Sequence, residues 1–210
     1  KRSGPTIYVA APIVYGYEQN AVDLIATRAP GYDCLKLYSY FSKQNFQKIM
    51  QKAKKLNLYT VGHIPYAVGL DGVIEQGMDE IAHIEELLFE FVAFDRNRNL
   101  QPDEWLPYII KNAMQQNNIS KGFDINSLSG AQRKRFTSVV NKLRSANIPV
   151  CTTLFLDDVI VQKLFKPEEF QARPEYGYLP PAYKQAFKNG NEKHQIQFKG
   201  IEELALFKYD

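Results

Sequence analysis

The sequence predicts an α/β fold built around a parallel β-sheet. Short apolar runs rich in β-branched and aromatic residues alternate with longer stretches of helical periodicity along the first half of the chain. Alternation of this kind is typical of parallel strands joined by crossover helices. The chain has 210 residues, of which 45% are hydrophobic and 23% charged, an ordinary composition for one large globular domain.

Five segments have the length and composition of strands. Residues 33–38 and 58–64 are short and apolar, and residues 80–84 and 148–155 repeat the pattern further along the chain. Residues 7–14 are rich in β-branched and aromatic side chains, so we expect them to form a buried strand.

Helical patterns fill the intervals between the predicted strands. Residues 18–29 are weakly helical, residues 67–76 are expected to form a helix ending at Gly77, and residues 85–94 continue the series. Ser42 is a suitable N-cap for a further helix. Its apolar positions recur at helical spacing: Phe46, Ile49, Met50, Ala53 and Leu56.

The alternation changes in the second half of the chain. Residues 95–147 are expected to form a helical insertion of two or three polar helices, and residues 156–210 a loop and helical region. Five strands do not close a barrel of eight, so either the sheet is open or three strands lie outside the chain. Because the first residue is Lys, we expect residues 1–210 to be a single incomplete barrel segment, cut at both ends.

Composition argues against several classes of protein. The formal net charge is only +3 and the lysines are scattered, which argues against nucleic-acid binding. No apolar run approaches the ~18 residues that a membrane span requires. Cys34 and Cys151 lie in predicted strands, where buried free thiols are expected rather than a disulfide. Nothing in the sequence indicates a compartment or an oligomeric state.

Three basic side chains lie in or just after successive predicted strands: Lys36, His63 and His83. The carboxyl ends of parallel strands meet at one face, where barrel active sites lie, so we expect these side chains to converge. A lone histidine near a strand is more often structural, but two at successive strand ends favour a metal site. A buried lysine loses its proton readily, and its neutral amine can add carbon dioxide to form a carbamate, an anionic oxygen ligand.

Four segments occur in a characteristic order: Gly31-Tyr-Asp-Cys-Leu-Lys-Leu-Tyr38, Val61-Gly-His-Ile-Pro65, Gly77-Met-Asp-Glu-Ile-Ala-His-Ile-Glu-Glu-Leu87 and Ile148-Pro-Val-Cys-Thr-Thr-Leu-Phe155. Together they resemble the amidohydrolase superfamily, and most closely its imidazolonepropionase-like and prolidase-like metal-dependent hydrolases. The resemblance extends from residue 4 to about residue 160.

This resemblance implies a partial (β/α)8 TIM-type barrel with its helical insertion after strand six. Lys36 would lie on strand four, His63 on strand five and His83 on strand six. In the family the lysine is often carboxylated and bridges two divalent metal ions, and the histidines hold one of them. One or two ions, zinc by ligand type, would activate a hydroxide that attacks a C–N bond of an amide or dipeptide-like small molecule.

The chain also departs from the family pattern. The His-x-His pair of the family's first strand is absent, since the third histidine is His194 in a polar tail, and the strand-eight aspartate is not assigned. We therefore expect the segment to be inactive without the remainder of its parent chain. The alternative is a non-catalytic, barrel-derived domain that binds a ligand or a partner. Tyr38 and Tyr66 lie near the predicted strand ends and are candidates for substrate binding, with packing as the competing role.

Overall fold

A computed structural model describes residues 4, 6–18, 20–116, 129–155, 159, 162–163 and 166–187. The chain divides into two compact units, the first made of Lys1–Asn118 and Asp124–Thr152, the second of Ile119–Phe123 and Thr153–Asp210. A division into compact units does not test whether residues 1–210 form a single barrel segment, so that expectation stays a prediction.

The first unit is built on a four-stranded sheet in which every neighbouring pair is parallel. Its strands follow one another across the sheet in chain order: β1 Cys34–Leu37, β2 Tyr59–Gly62, β3 Glu80–Ala82 and β4 Val150–Cys151. The predicted α/β class with a parallel sheet is therefore confirmed. Closure into a barrel stays a prediction.

Residues 7–14 do not form the continuous buried strand that the sequence predicts. The segment makes only two isolated parallel bridges, Ala10 to Cys34 and Val14 to Leu37. Tyr8 in its first half is 77% exposed, so the expectation of a buried strand is wrong there. A bend at Pro12 separates the two bridges, and the pairing shifts by one residue across it, so no continuous ladder forms.

Helices connect and flank the strands. The first unit contains α1 Ala21–Arg28, α2 Lys43–Lys55, α3 Gly69–Gln76, a 3₁₀ helix Ile84–Glu90, α4 Pro102–Gln116 and α5 Gly130–Ala146. Ser42 caps α2 as predicted, because its side chain accepts a hydrogen bond from Asn45 N at 3.2 Å. Gly77 ends α3 in the left-handed conformation at φ 67°. The helix predicted over residues 85–94 is instead the tighter 3₁₀ helix Ile84–Glu90, which begins one residue earlier and ends four residues sooner.

Helices pack against one face of the sheet. Burial alternates along β1, with Leu35 and Leu37 inaccessible and Lys36 between them only half-buried. Of the predicted helical positions in α2, four are buried as expected, but Leu56 is 45% exposed because it lies at the C-cap. Side chains of even-numbered β1 residues thus occupy the face that the core does not cover.

The expected helical insertion lies between β3 and β4 in chain order. Its described part is α4 and α5, and residues 117–128 fall outside the described residues. Ser129 forms a capping box with Gln132 at the start of α5. Trp105 and Ile109 of α4 are buried in a second apolar cluster that includes Tyr66.

The second unit is smaller and is described at few positions. It contains α6 Pro167–Ala172 and a 3₁₀ helix Pro174–Tyr178. Phe170 is buried there against Tyr176 and Phe187, with ring centroids 5.6 and 5.1 Å away. Most of the loop and helical region expected over residues 156–210, including His194, lies outside the described residues. Across the described part of both units, no helix is long and apolar enough to cross a membrane.

The backbone of Gly62, the last residue of β2, lies very close to the backbone of Leu37 in β1. A Cβ added there would lie 2.0 Å from Leu37 O, which no side-chain adjustment can relieve. Gly62→Ala is expected to destabilise the chain by about 3 kcal/mol or more, through forced separation of β1 and β2. Urea unfolding measures the change, with Gly130→Ala as the control because an added Cβ there meets nothing within 4 Å. Equal stability of the two variants would contradict the pairing of β1 with β2.

Candidate metal centre

The structure brings the three predicted ligands together. Lys36 is the third residue of β1, His63 directly follows β2, and His83 directly follows β3. Lys36 Nζ lies 3.4 Å from His83 Nε2, and the ring centroids of His63 and His83 are 4.8 Å apart. All three stand at or near the carboxyl ends of adjacent parallel strands. Their role as metal ligands stays a prediction.

His83 has an unusual backbone conformation. Its φ of 74° with ψ 113° is a region that residues other than glycine rarely occupy. Two hydrogen bonds hold it there: His83 N donates to Cys151 O at 2.8 Å, and Glu86 N donates to His83 O at 3.2 Å. Strain of this kind costs about 1–3 kcal/mol and is concentrated at functional sites.

Burial and neighbouring charge keep the imidazole of His83 neutral. Burial, then the Lys36 ammonium, then His63 lower the pKa of His83 from 6.5 to about 4. Burial also lowers the pKa of Lys36, opposed by the charges of Glu86, Cys151, Glu80 and Glu85. At neutral pH His83 is therefore in the uncharged form that binds metal ions.

His63 is held by a residue that the sequence analysis missed, Glu86. Glu86 is 4% exposed, and its Oε1 lies 2.5 Å from His63 Nδ1. Ser39 Oγ lies 3.1 Å from the same nitrogen. No pattern in the sequence indicates this contact, because it depends on the 3₁₀ helix Ile84–Glu90, whereas the sequence predicts only a helix of unspecified type after His83.

The contacts of Ser39 and Glu86 exclude one familiar arrangement. In a Ser–His–carboxylate triad the serine contacts one ring nitrogen and the carboxylate the other. Here Ser39 Oγ and Glu86 Oε1 both approach Nδ1 of His63. The three side chains therefore do not form a nucleophile–base relay as they stand.

The two predicted substrate-binding tyrosines occupy different surroundings. The ring of Tyr38 is half-buried and lies 4.1 Å from the His63 ring, centroid to centroid. Tyr66 is 7% exposed and packs against Phe89 and Trp105. Its backbone N donates to Ser39 O, so it adjoins the site through Ser39. Substrate binding by either tyrosine stays a prediction.

Tyr38 also belongs to a cluster of tyrosines that sequence analysis did not identify. Tyr15 lies 5.5 Å from Tyr17 and 5.2 Å from Tyr38, centroid to centroid. Tyr40 closes the group at 5.8 Å from Tyr17 and 5.6 Å from Tyr38. The rings come from residues after the 7–14 segment and after β1, so their proximity depends on the bridge between Val14 and Leu37. We call these four residues the tyrosine cluster.

Arg96 joins the segments that follow the two histidines. Its guanidinium donates to Tyr66 O at 2.8 Å and to Phe89 O at 3.2 Å. It also pairs with Glu90 Oε1 at 2.8 Å, and the same oxygen accepts a hydrogen bond from Leu70 N. The loop after β2 and the 3₁₀ helix after β3 are therefore tied by one partly buried ion pair, which stabilises the backbone around the site.

Two further observations bear on the site: the other side chains able to hold a metal ion, and the comparison with known proteins. Among the described residues, no group of three or more His, Cys, Asp and Glu side chains is placed to hold a metal ion. No protein-family model, curated protein or solved structure matches the chain. The amidohydrolase assignment therefore remains a resemblance.

The pKa of His83 tests the electrostatics of this site. In the metal-free chain we expect His83 to titrate at about 4, and Lys36→Met to move the midpoint upward by removing a neighbouring positive charge. The midpoint should stay below 6.5, because burial is the larger cause. Imidazole proton shifts in NMR follow the titration. Lys48→Met removes a lysine charge on the exposed side of α2 and should leave the midpoint unchanged. Equal His83 titration midpoints in the wild type and in Lys36→Met would contradict the contact between Lys36 and His83.

Proposed function

We propose that the chain carries a divalent-cation site formed by Lys36, His63 and His83, within a metal-dependent hydrolase of C–N bonds in amides or peptide-like molecules. The observation that carries the proposal is their convergence, with Lys36 Nζ 3.4 Å from His83 Nε2 at neighbouring strand ends. A (β/α)8 barrel, of which β1 to β3 would be strands four to six, is part of the same proposal. Further ligands would come from the remainder of a longer parent chain.

The donor chemistry of these residues fits a cation such as zinc. Two imidazoles and an anionic oxygen are ligands typical of open zinc sites. His83 is neutral at pH 7 because its pKa is lowered to about 4. Burial lowers the pKa of Lys36 and so favours its neutral amine. That amine would attack carbon dioxide, forming an N–C bond and releasing a proton to solvent, and the product carbamate would supply the oxygen ligand.

The residues around the donors have separate proposed tasks. A divalent cation, when bound, lowers the pKa of a water molecule and polarises a substrate carbonyl. Tyr38 would donate a hydrogen bond from its hydroxyl to a small-molecule or dipeptide-like substrate. Burial raises the pKa of Tyr38, so its phenol keeps the proton that this hydrogen bond requires. Tyr66 would contribute through Ser39, whose carbonyl oxygen accepts its backbone N–H at 3.0 Å.

The alternative, a non-catalytic ligand-binding domain, has one observation in its favour. The tyrosine cluster places aromatic faces beside His63, and Tyr17 within it is 55% exposed. Exposed aromatic faces bind planar or cationic groups without any chemistry. This alternative would use the same region of the sheet, and it requires no cation.

Zinc binding by the 210-residue chain tests the proposal. The wild-type chain in bicarbonate buffer is expected to bind zinc, with stoichiometry from elemental analysis and affinity from competition with a chromophoric chelator. His63→Ala and His83→Ala should weaken binding by more than the ~10–100-fold that loss of an outer-shell partner costs. Lys36→Arg should bind weakly and lose any dependence on bicarbonate, because a guanidinium cannot form the carbamate.

His194→Ala is the matched control, because His194 belongs to none of the segments that resemble the family. It should bind zinc like the wild type. Undiminished zinc binding in both His63→Ala and His83→Ala would contradict the metal site. A wild-type chain that binds no zinc would favour the ligand-binding alternative. Hydrolysis of amide and dipeptide substrates by the full-length protein, lost in the same variants, would extend the test from binding to activity.

A further inference from the structure

Glu86 contacts the segment that carries His63 through both of its carboxyl oxygens. Its Oε1 lies 2.5 Å from His63 Nδ1, and its Oε2 accepts a hydrogen bond from Ile64 N at 3.2 Å. Both contacts are buried. The backbone N of Glu86 donates to His83 O at 3.2 Å, so one residue contacts both histidines.

We propose that Glu86 is a positioning residue that holds His63 in the tautomer protonated at Nδ1. The lone pair of the imidazole then lies on Nε2, the other ring nitrogen, where a divalent cation would be bound. The cation in this inference rests on the proposed function. The tautomer does not, because it follows from contacts within the metal-free chain.

The tautomer follows from the donors and acceptors around the ring. A backbone N–H can only donate, so Oε2 of Glu86 is an acceptor toward Ile64. An ionised carboxylate has acceptors only, so its Oε1 requires a proton on Nδ1 of His63. Ser39 Oγ, 3.1 Å from the same nitrogen, is a hydroxyl oxygen and is able to accept as well. In metal sites, outer carboxylates of this kind fix the tautomer and orientation of a histidine ligand.

Glu86→Gln gives a sharp test because the amide has one oxygen for two donors. If that oxygen accepts from Ile64 N–H, the amide NH₂ faces Nδ1 of His63 and can only donate to it. Nδ1 must then carry the lone pair, and the ring proton moves to Nε2. Gln has nearly the same size and shape as Glu, so this variant is expected to fold. It should therefore reverse the tautomer of His63 while leaving the backbone in place.

Nitrogen-15 NMR of histidine-labelled, metal-free chain reads the tautomer directly. The signals of His63 are identified by their loss in His63→Gln. We expect the wild type to be protonated at Nδ1, and Glu86→Gln to be protonated mainly at Nε2. Glu85→Gln removes a carboxylate beside His83 instead, 3.9 Å from its Nδ1, and should leave the His63 tautomer unchanged. Protonation of wild-type His63 at Nε2, or an unchanged tautomer in Glu86→Gln, would overturn the inference.

Zinc affinity separates this inference from the proposed function. Glu86→Gln should bind zinc ~10–100-fold more weakly than the wild type, because the lone pair no longer lies on Nε2. Glu85→Gln should lose less affinity than Glu86→Gln. If the tautomers behave as expected but the wild type binds no zinc, the proposed function fails and the assignment of the tautomer stands.

Discussion

The parallel ladder between β1 and β2 pairs Lys36 with Val61 and Leu37 with Gly62, and the geometry of the site depends on this register. His63 N donates to Leu37 O at 3.0 Å, which extends the ladder by one residue and fixes the position at which the imidazole leaves the sheet. A slip of one residue would turn Lys36 toward the helices and Leu37 toward the site. The close approach of Gly62 to the carbonyl of Leu37 resists such a slip, since no larger residue fits there.

The polar side chains of Lys36, His63 and His83 lie on the sheet face that the core leaves uncovered. Each contacts a polar partner, which reduces the free-energy cost of burying it. Desolvation lowers the pKa of both Lys36 and His83, which opposes the build-up of positive charge where the two side chains meet. Glu86 places a buried carboxyl group in contact with His63. Arg96 and Glu90 then hold the surrounding loops through hydrogen bonds to backbone carbonyls and an ion pair. In the first unit, the three proposed ligands are therefore different residues from those that hold the surrounding backbone.

Much of this arrangement could be predicted from local patterns. The strands at β1 and β2, the cap at Ser42 and the left-handed Gly77 follow from local composition and stereochemistry, and the sequence order of Lys36, His63 and His83 anticipated their convergence. Other features depend on contacts that the sequence does not reveal. The bend at Pro12 interrupts a segment with strong strand composition, and Glu86 becomes a partner of His63 only because residues 84–90 tighten into a 3₁₀ helix. The tyrosine cluster likewise requires two distant segments to meet.

The most direct measurement is the anomalous X-ray diffraction of zinc-loaded crystals of the chain, grown in bicarbonate and recorded on both sides of the zinc absorption edge. We expect an anomalous peak about 2.0–2.1 Å from the imidazole nitrogens of His63 and His83. We also expect additional density beyond Nζ of Lys36, pointing toward the ion. Zinc bound elsewhere on the chain, with Lys36 a bare ammonium paired to a carboxylate, would contradict a metal site formed by Lys36, His63 and His83.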